Sequence, residues 1–359
     1  MHKSQTHSSG ATASQLHSIM SNTTLEWFGN TTFRLRAADI TVFLDTWLDR
    51  PSVLPKYLAI SDVTEADYIF ISHAHFDHLP GADRIAIQTG AIVVANCEAI
   101  NLLRLAGVPE EQLLPVSGGE RIPLFTRTIR EQAKRGEVSV AAALPDQPRM
   151  PHHSLASFSV HVWPSLHAFL PKPHPDVMDT KTVYTGGTTP YACTLDITHG
   201  MKYGLLQLHK LVPEEQMNNG MRSFLNYVND RKTNVLSHCD GGQLMFNFII
   251  NGSGLLWNAH LGAYEGILSR IEPKPKIAIL GIAGRANHDG RPFDGSAAQF
   301  AVKQIHWLNQ PETVIWCMHD ESCIAPYRVD IEGAVNSVEQ ETTSSVLSLI
   351  PGRQTNLNI

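Results

Sequence analysis

The chain is poor in charge. Asp, Glu, Lys and Arg make up 17% of its 359 residues, against about 25% in an ordinary soluble protein. The 28 basic and 34 acidic residues leave a net charge of −6, which argues against an electropositive surface for nucleic acid. No apolar run reaches the roughly 18 residues of a membrane-spanning helix. Cysteine is scarce: Cys97, Cys193, Cys239, Cys317 and Cys323 are odd in number and never spaced as C-x-x-C. That spacing excludes a disulfide framework and a structural cysteine–zinc knuckle. Hydrophobic residues still reach 43%, enough for a large core and too many for a disordered chain. The excess is in histidine, with 18 residues, the side chain most often found on metals.

Residues 1–23, rich in Ser, Thr and His, have no apolar period and read as a disordered tail in which His2, His7 and His17 are solvated. With no basic start and no apolar stretch they are not a secretory signal, and a cytoplasmic location is the default expectation. A main domain is expected over 24–330. Thr24–Phe28 and Thr32–Leu35 read as strands about a Gly29-Asn30 turn, followed by strands at 40–44 and 68–71. Residues 97–106 read as a helix, and 124–154, with three prolines, as a loop. Residues 170–235 read as an insertion of helices and loops capping the site, or as a dimer element. Gln243–Ile250 and Leu255–Trp257, flanking Asn251-Gly252-Ser253-Gly254, read as a hairpin. Strand–helix alternation places the domain in the α/β class. Residues 331–359 read as a peripheral C-terminal tail.

The decisive stretch is His73-x-His75-x-Asp77-His78, directly after the buried strand Tyr68–Ile71. A backbone leaving a strand aims alternate side chains to one side, so His73 and His75 converge on one ion. After the turn, Asp77 and His78 face a second ion about 3.5–4 Å from the first, a clamp suited to hydrolysis. The imidazole-rich set suits zinc better than magnesium or calcium.

H-x-H-x-D-H is the signature of the metallo-β-lactamase superfamily, which the chain resembles over most of residues 24–325. Trp27-Phe28-Gly29-Asn30-Thr31 is similar to the opening strand of its ascorbate-lactonase-like branch. The resemblance implies an αββα sandwich with the site at one edge of the two sheets. It implies that Asp45 supports the metal loop, that His167 joins His73 and His75 on one ion, and that His319 joins Asp77 and His78 on the other. One position departs from the pattern. The superfamily's Gly-Asp-Thr-Gly supplies an aspartate that bridges both metals; here the hairpin ends Asn258-Ala259-His260-Leu261-Gly262, with His260 in its place. A neutral imidazole has one lone pair and cannot bridge. One or two zinc ions per chain are therefore expected.

The function expected is a zinc-dependent hydrolase that opens a lactone or cyclic amide in a small, fairly apolar molecule. Asp77, His75 or His260 would handle the proton. Asn258, Asn287, His288 and Trp257 are expected around the substrate, and Asp320 is placed to orient His319. Hydrolytic dehalogenation of an aromatic ring and phosphodiester hydrolysis are the alternatives; a degenerate binding module is the non-enzymatic one. Expected partners are a small-molecule substrate and a second copy of the chain, with neither nucleic acid nor membrane.

Overall fold

The computed structural model describes residues 23–142, 145, 147–170, 175–186 and 194–359. The expected tail therefore falls, apart from Thr23, outside the described residues, together with His2, His7 and His17; His174 also lies outside them. Fourteen strands build two large sheets. The first six are β1 (Thr24–Trp27), β2 (Phe33–Ala37), β3 (Ile40–Leu44), β4 (Tyr68–Phe70), β5 (Ile92–Ala95) and β6 (Leu113–Pro115). The next four are β7 (Arg121–Leu124), β8 (Phe158–Pro164), β9 (Leu244–Ile250) and β10 (Ser253–Asn258). The last four are β11 (Pro275–Gly281), β12 (Thr313–Cys317), β13 (Ser345–Val346) and β14 (Gln354–Asn356).

The first sheet runs β14-β1-β2-β3-β4-β5-β6 and the second β13-β12-β11-β10-β9-β8-β7. Each is antiparallel over its first three pairings, counted from β14 and from β7, and parallel over the remaining three. The parallel strands point their carboxyl ends at one edge, where α/β sheets place their functional loops.

The sequence pattern explains the layers. β2 alternates, with Phe33, Leu35 and Ala37 buried and the two arginines between them partly exposed. β3 is buried at every position because both of its faces are covered. Between the sheets, Phe70 meets Phe246 and Phe248 edge-on at 5.1 Å each. Outside the first sheet, α1 (Ala82–Thr89) and α2 (Cys97–Leu105) cover Phe43, Ile69, Ile71 and Val93. Outside the second, α5 (Ala297–Trp307) and α6 (Glu332–Glu341) cover Leu256, Ala278 and Val314. The result is an αββα sandwich. Between these helix pairs in the chain lie α3 (Arg127–Arg135) and α4 (Asn219–Asn229).

The structure departs from the sequence in three places. The stretch 124–154, expected as a loop, contains α3, capped by Thr126 accepting from Ile129 N. That helix buries Ala133 alone and so carries no apolar stripe. Residues 331–359, expected to be peripheral, form α6 and supply an edge strand to each sheet. Asn251 and Gly252, both with positive φ, close the expected hairpin, whose second strand begins earlier than expected, at Ser253. Among the described residues, no helix is long and apolar enough to cross a membrane, and Cys97, Cys239, Cys317 and Cys323 are free.

Candidate metal centre

The centre is built where loops from both sheets meet. From the first sheet, β4 leads through Ile71 and Ser72 into His73, His75, Asp77 and His78. Asp45 follows β3 in the left-handed conformation (φ 49°) and organises this loop from behind. Its carboxylate accepts from Ser72 N at 2.8 Å, Ser72 Oγ at 2.9 Å and Thr31 Oγ1 at 2.7 Å, and lies 2.6 Å from His78 Nδ1. Asp45, His73 and His78 are fully buried.

From the second sheet come His167, three residues after β8, and His260, two residues after β10. Their loops touch backbone to backbone. A Cβ on Gly262 would collide with the carbonyl oxygen of Leu166, so glycine is required there. His167 Nδ1 lies 2.7 Å from the Ala168 carbonyl, and Asn287 Nδ2 donates to the His167 carbonyl at 2.8 Å. A donating Nδ1–H leaves the His167 Nε2 lone pair free to bind.

The rings of His73, His75, His78, His167 and His260 form one cluster, with contacting centroids 3.8–5.2 Å apart. The shortest contact joins His167 and His260. His73 Nε2 is 3.0 Å from His75 Nδ1, and Asp77 Oδ2 is 3.4 Å from His78 Nε2. His73, His167 and His260 each present a nitrogen within 4.8 Å of the other two. Asp77 and His167 are the partly exposed members of the set, so the centre opens on their side.

Burial sets the electrostatics. It pushes His73, His75 and His260 well below the usual imidazole range, helped by the neighbouring rings, and pulls His167 down as well. Neutral rings with free lone pairs are what a cation needs. Burial acts against His78 too, but the Asp77 and Asp45 carboxylates outweigh it and raise His78 to about 10. Burial raises Asp77, yet His78, with His75 and His167 behind it, brings it down to about 2.

Several residues expected at the site are placed elsewhere. Trp257 is buried between the sheets and stacks on Phe246 at 5.7 Å, so it lines core and no pocket. The Asn258 amide is buried, donating to the Gly262 carbonyl and accepting from Ser165 Oγ; it holds the turn that carries His260. Asn287 braces His167 through its backbone. His288 packs on Trp307, Phe300 and Phe293 and faces Glu265 at 3.2 Å, in the helix layer of the second sheet. The His319 ring stacks on Trp27 at 4.7 Å, and its ring contacts do not include the five clustered histidines. Asp320 is turned to the Asn30 backbone N–H at 2.8 Å and to Arg50 at 2.7 Å.

Other contributors are absent from the sequence reading. Asn30, in the left-handed turn after β1, donates its amide to the carbonyl of Asp77 at 2.8 Å. Asn in a Gly-Asn turn is a signal that was present, since this residue tolerates positive φ and keeps a polar side chain to spend. α4, within the expected 170–235 insertion, sets Phe224 against Phe76 at 5.1 Å. Trp47 touches both Phe76 and Tyr227. These rings form a core cluster behind the loop that carries Asp77, with Phe76 its half-buried member there.

The donor set fits a divalent cation. His75 Nε2 and both ring nitrogens of His260 are buried without a hydrogen-bond partner among the described residues, and His78 Nε2 faces Asp77 Oδ2 at 3.4 Å. Orphaned buried polar atoms are costly and rare, and here they converge.

No protein-family model matches the chain. A UPF0173 metal-dependent hydrolase of Pyrobaculum calidifontis is 35% identical over 102 residues, 28% of this chain and 44% of that protein. Another, from Anaeromyxobacter dehalogenans, is 36% identical over 91 residues, 25% of this chain and 33% of that protein. The chain spans less than half the length of these curated relatives. Among solved structures, Igni18, a novel metallo hydrolase from the archaeon Ignicoccus hospitalis, matches with a TM-score of 0.54 at 15% identity. The match covers 94% of this chain and 100% of that one; at this identity the likeness is one of fold.

Proposed function

We propose that the chain is a metal-dependent hydrolase of the metallo-β-lactamase superfamily, whose αββα sandwich and H-x-H-x-D-H spacing it shares. Its likeness to metal-dependent hydrolases supports this reading. The observation that carries this reading is the convergence of five histidines and Asp77, several of their nitrogens buried and unpartnered. His73, His75, His78, His167, His260 and Asp77 are the residues from which one or two ions would draw their ligands. Nitrogen donors favour zinc over magnesium or calcium. When bound, such an ion supplies Lewis acidity and lowers the pKa of a coordinated water towards 7.

The chain's own residues supply the rest. Asp77, the partly exposed carboxylate of the set, accepts a proton from the attacking water and returns it to the leaving group. Asn30 and His78 hold that carboxylate in place. Phe76, half-buried beside Asp77 and backed by the buried rings of Trp47, Phe224 and Tyr227, supports a small, fairly apolar substrate; a lactone or cyclic amide is the carbonyl compound proposed.

The test is hydrolysis of a panel of lactones, cyclic amides, aryl phosphodiesters and halogenated aromatics. Each is assayed with the protein as purified, after exhaustive chelation, and after zinc is returned. Lactone or cyclic amide opening that is lost on chelation and restored by zinc supports the reading. Activity that survives chelation overturns the metal dependence. Metal-dependent turnover of phosphodiesters or haloaromatics alone overturns the substrate class and leaves the hydrolase standing.

A further inference from the structure

The structure carries an inference about how many ions the centre is made for; it rests on the metal-dependent reading above and deepens it. Two ions a few ångströms apart repel each other, and a bridging anion, a protein carboxylate or a hydroxide, offsets that repulsion. A carboxylate does this with two oxygens. An imidazole has one lone pair in its neutral form, and its second nitrogen carries a proton.

His260 occupies the middle of the cluster, in ring contact with His73, His78 and His167. The residue is 3% exposed, and neither ring nitrogen has a hydrogen-bond partner among the described residues. The carboxylates of the neighbouring loops are engaged. Asp45 receives Ser72, Thr31 and His78. Asp320 receives Arg50 and the Asn30 backbone. Asp240, whose charge reaches His167, receives the Gly242 N–H. Asp77 faces His78 and Asn30. None of these four contributes a ligand atom to the group formed by His73, His167 and His260, whose nitrogens lie within 4.8 Å of one another.

We infer that this chain binds a single divalent ion on His73, His167 and His260, and that His260 is the residue that makes the centre mononuclear. Three nitrogens with the fourth position open is a recurrent arrangement for catalytic zinc. Three imidazoles with no carboxylate also rank zinc, nickel and copper above manganese and magnesium.

The experiment titrates the metal-free full-length protein with zinc by calorimetry and measures bound metal by elemental analysis after dialysis. It is repeated on His260→Asp and His260→Ala, with circular dichroism to check that each folds. The parent should bind one zinc per chain. His260→Asp should bind two, because the carboxylate restores a bridge. His260→Ala should bind one zinc at least tenfold more weakly. Cobalt loaded into the parent should show the intense visible bands of a four-coordinate site at one equivalent and no further change at two. Two tight ions in the parent overturn the mononuclear inference, and an unchanged stoichiometry in a folded His260→Asp overturns the part assigned to His260, while the hydrolase reading survives either. No binding by the parent overturns both. Should His260→Asp fail to fold, the parent's cobalt titration decides the question alone.

Discussion

The side-chain amide of Asn30 donates to the backbone carbonyl of Asp77 at 2.8 Å, joining positions 47 residues apart in the chain. Asn30 is itself fixed from both sides. Its N–H donates to Asp320, and its carbonyl accepts from Met318 N and Trp27 Nε1. Asp320 in turn holds Arg50, whose side chain is 2% exposed and lies over the Trp47 ring. The turn after β1 is thus a clamp on the loop that carries Asp77.

Asn30→Ala removes the amide and places a Cβ-bearing residue at φ 47° without the local hydrogen bond that makes it tolerable. The loss in unfolding free energy should be about 1–3 kcal/mol. Zinc stoichiometry should be retained, and turnover should fall more than substrate affinity, because Asp77 keeps its charge and loses its aim. Urea unfolding and steady-state kinetics read both. A variant with parental kcat would show that Asn30 serves stability alone.

Asp45→Asn isolates a charge at constant shape. The left-handed backbone at this position suits Asn as well as Asp, so the change falls on hydrogen bonding. The amide keeps one acceptor oxygen where the carboxylate serves Ser72, Thr31 and His78. Breaking a buried, multiply bonded charge pair should cost about 3–5 kcal/mol. A loss under 1 kcal/mol in denaturant titration would contradict the role assigned to Asp45.

The metal-free protein should show a stability maximum between two histidine effects of opposite sign. His73, His75 and His260 titrate lower when folded, so the unfolded chain binds more protons below about pH 6.5 and stability falls as the pH drops through that range. His78 is raised to about 10; its contribution is complete below about pH 6.5 and is lost as the pH climbs through 10. Asp77, lowered to about 2, contributes above its unfolded value and is lost as the pH falls towards 2. Thermal unfolding of the chelated protein from pH 5 to pH 10 should trace a dome, and a flat profile would contradict it.

Phe224→Ala removes a fully buried ring from the junction of α4 and the metal loop. Stability should fall by about 3–5 kcal/mol. If Phe76, which this ring supports, receives the substrate, KM for apolar lactones should rise several-fold with zinc content unchanged. An unchanged KM in a folded variant would place the substrate elsewhere.

The sequence showed most of the candidate metal centre because its histidines are dense. His73, His75, Asp77 and His78 fall within six residues after a strand, and His167 and His260 each follow a strand of their own. What stayed hidden depended on faces and on distant partners. Residues 254–258 of β10 are buried on both sides, so alternation gave no sign that Trp257 points between the sheets and Asn258 away from them. β14, with the polar sequence Gln-Thr-Asn, has no apolar period and exists because β1 offers it an edge. The packing of His319 on Trp27 joins the two ends of the domain sequence, a distance that no local pattern reports.

His73, His75 and His78 hang from one sheet, and His167 and His260 from the other. An ion held by both groups fastens the sandwich across its seam, so its binding free energy adds directly to the cohesion of the two halves. Under the proposed function the metal would serve as ballast as well as reagent. A cell that ran short of it would then lose more than turnover, because the unloaded chain would open more often and be more readily degraded.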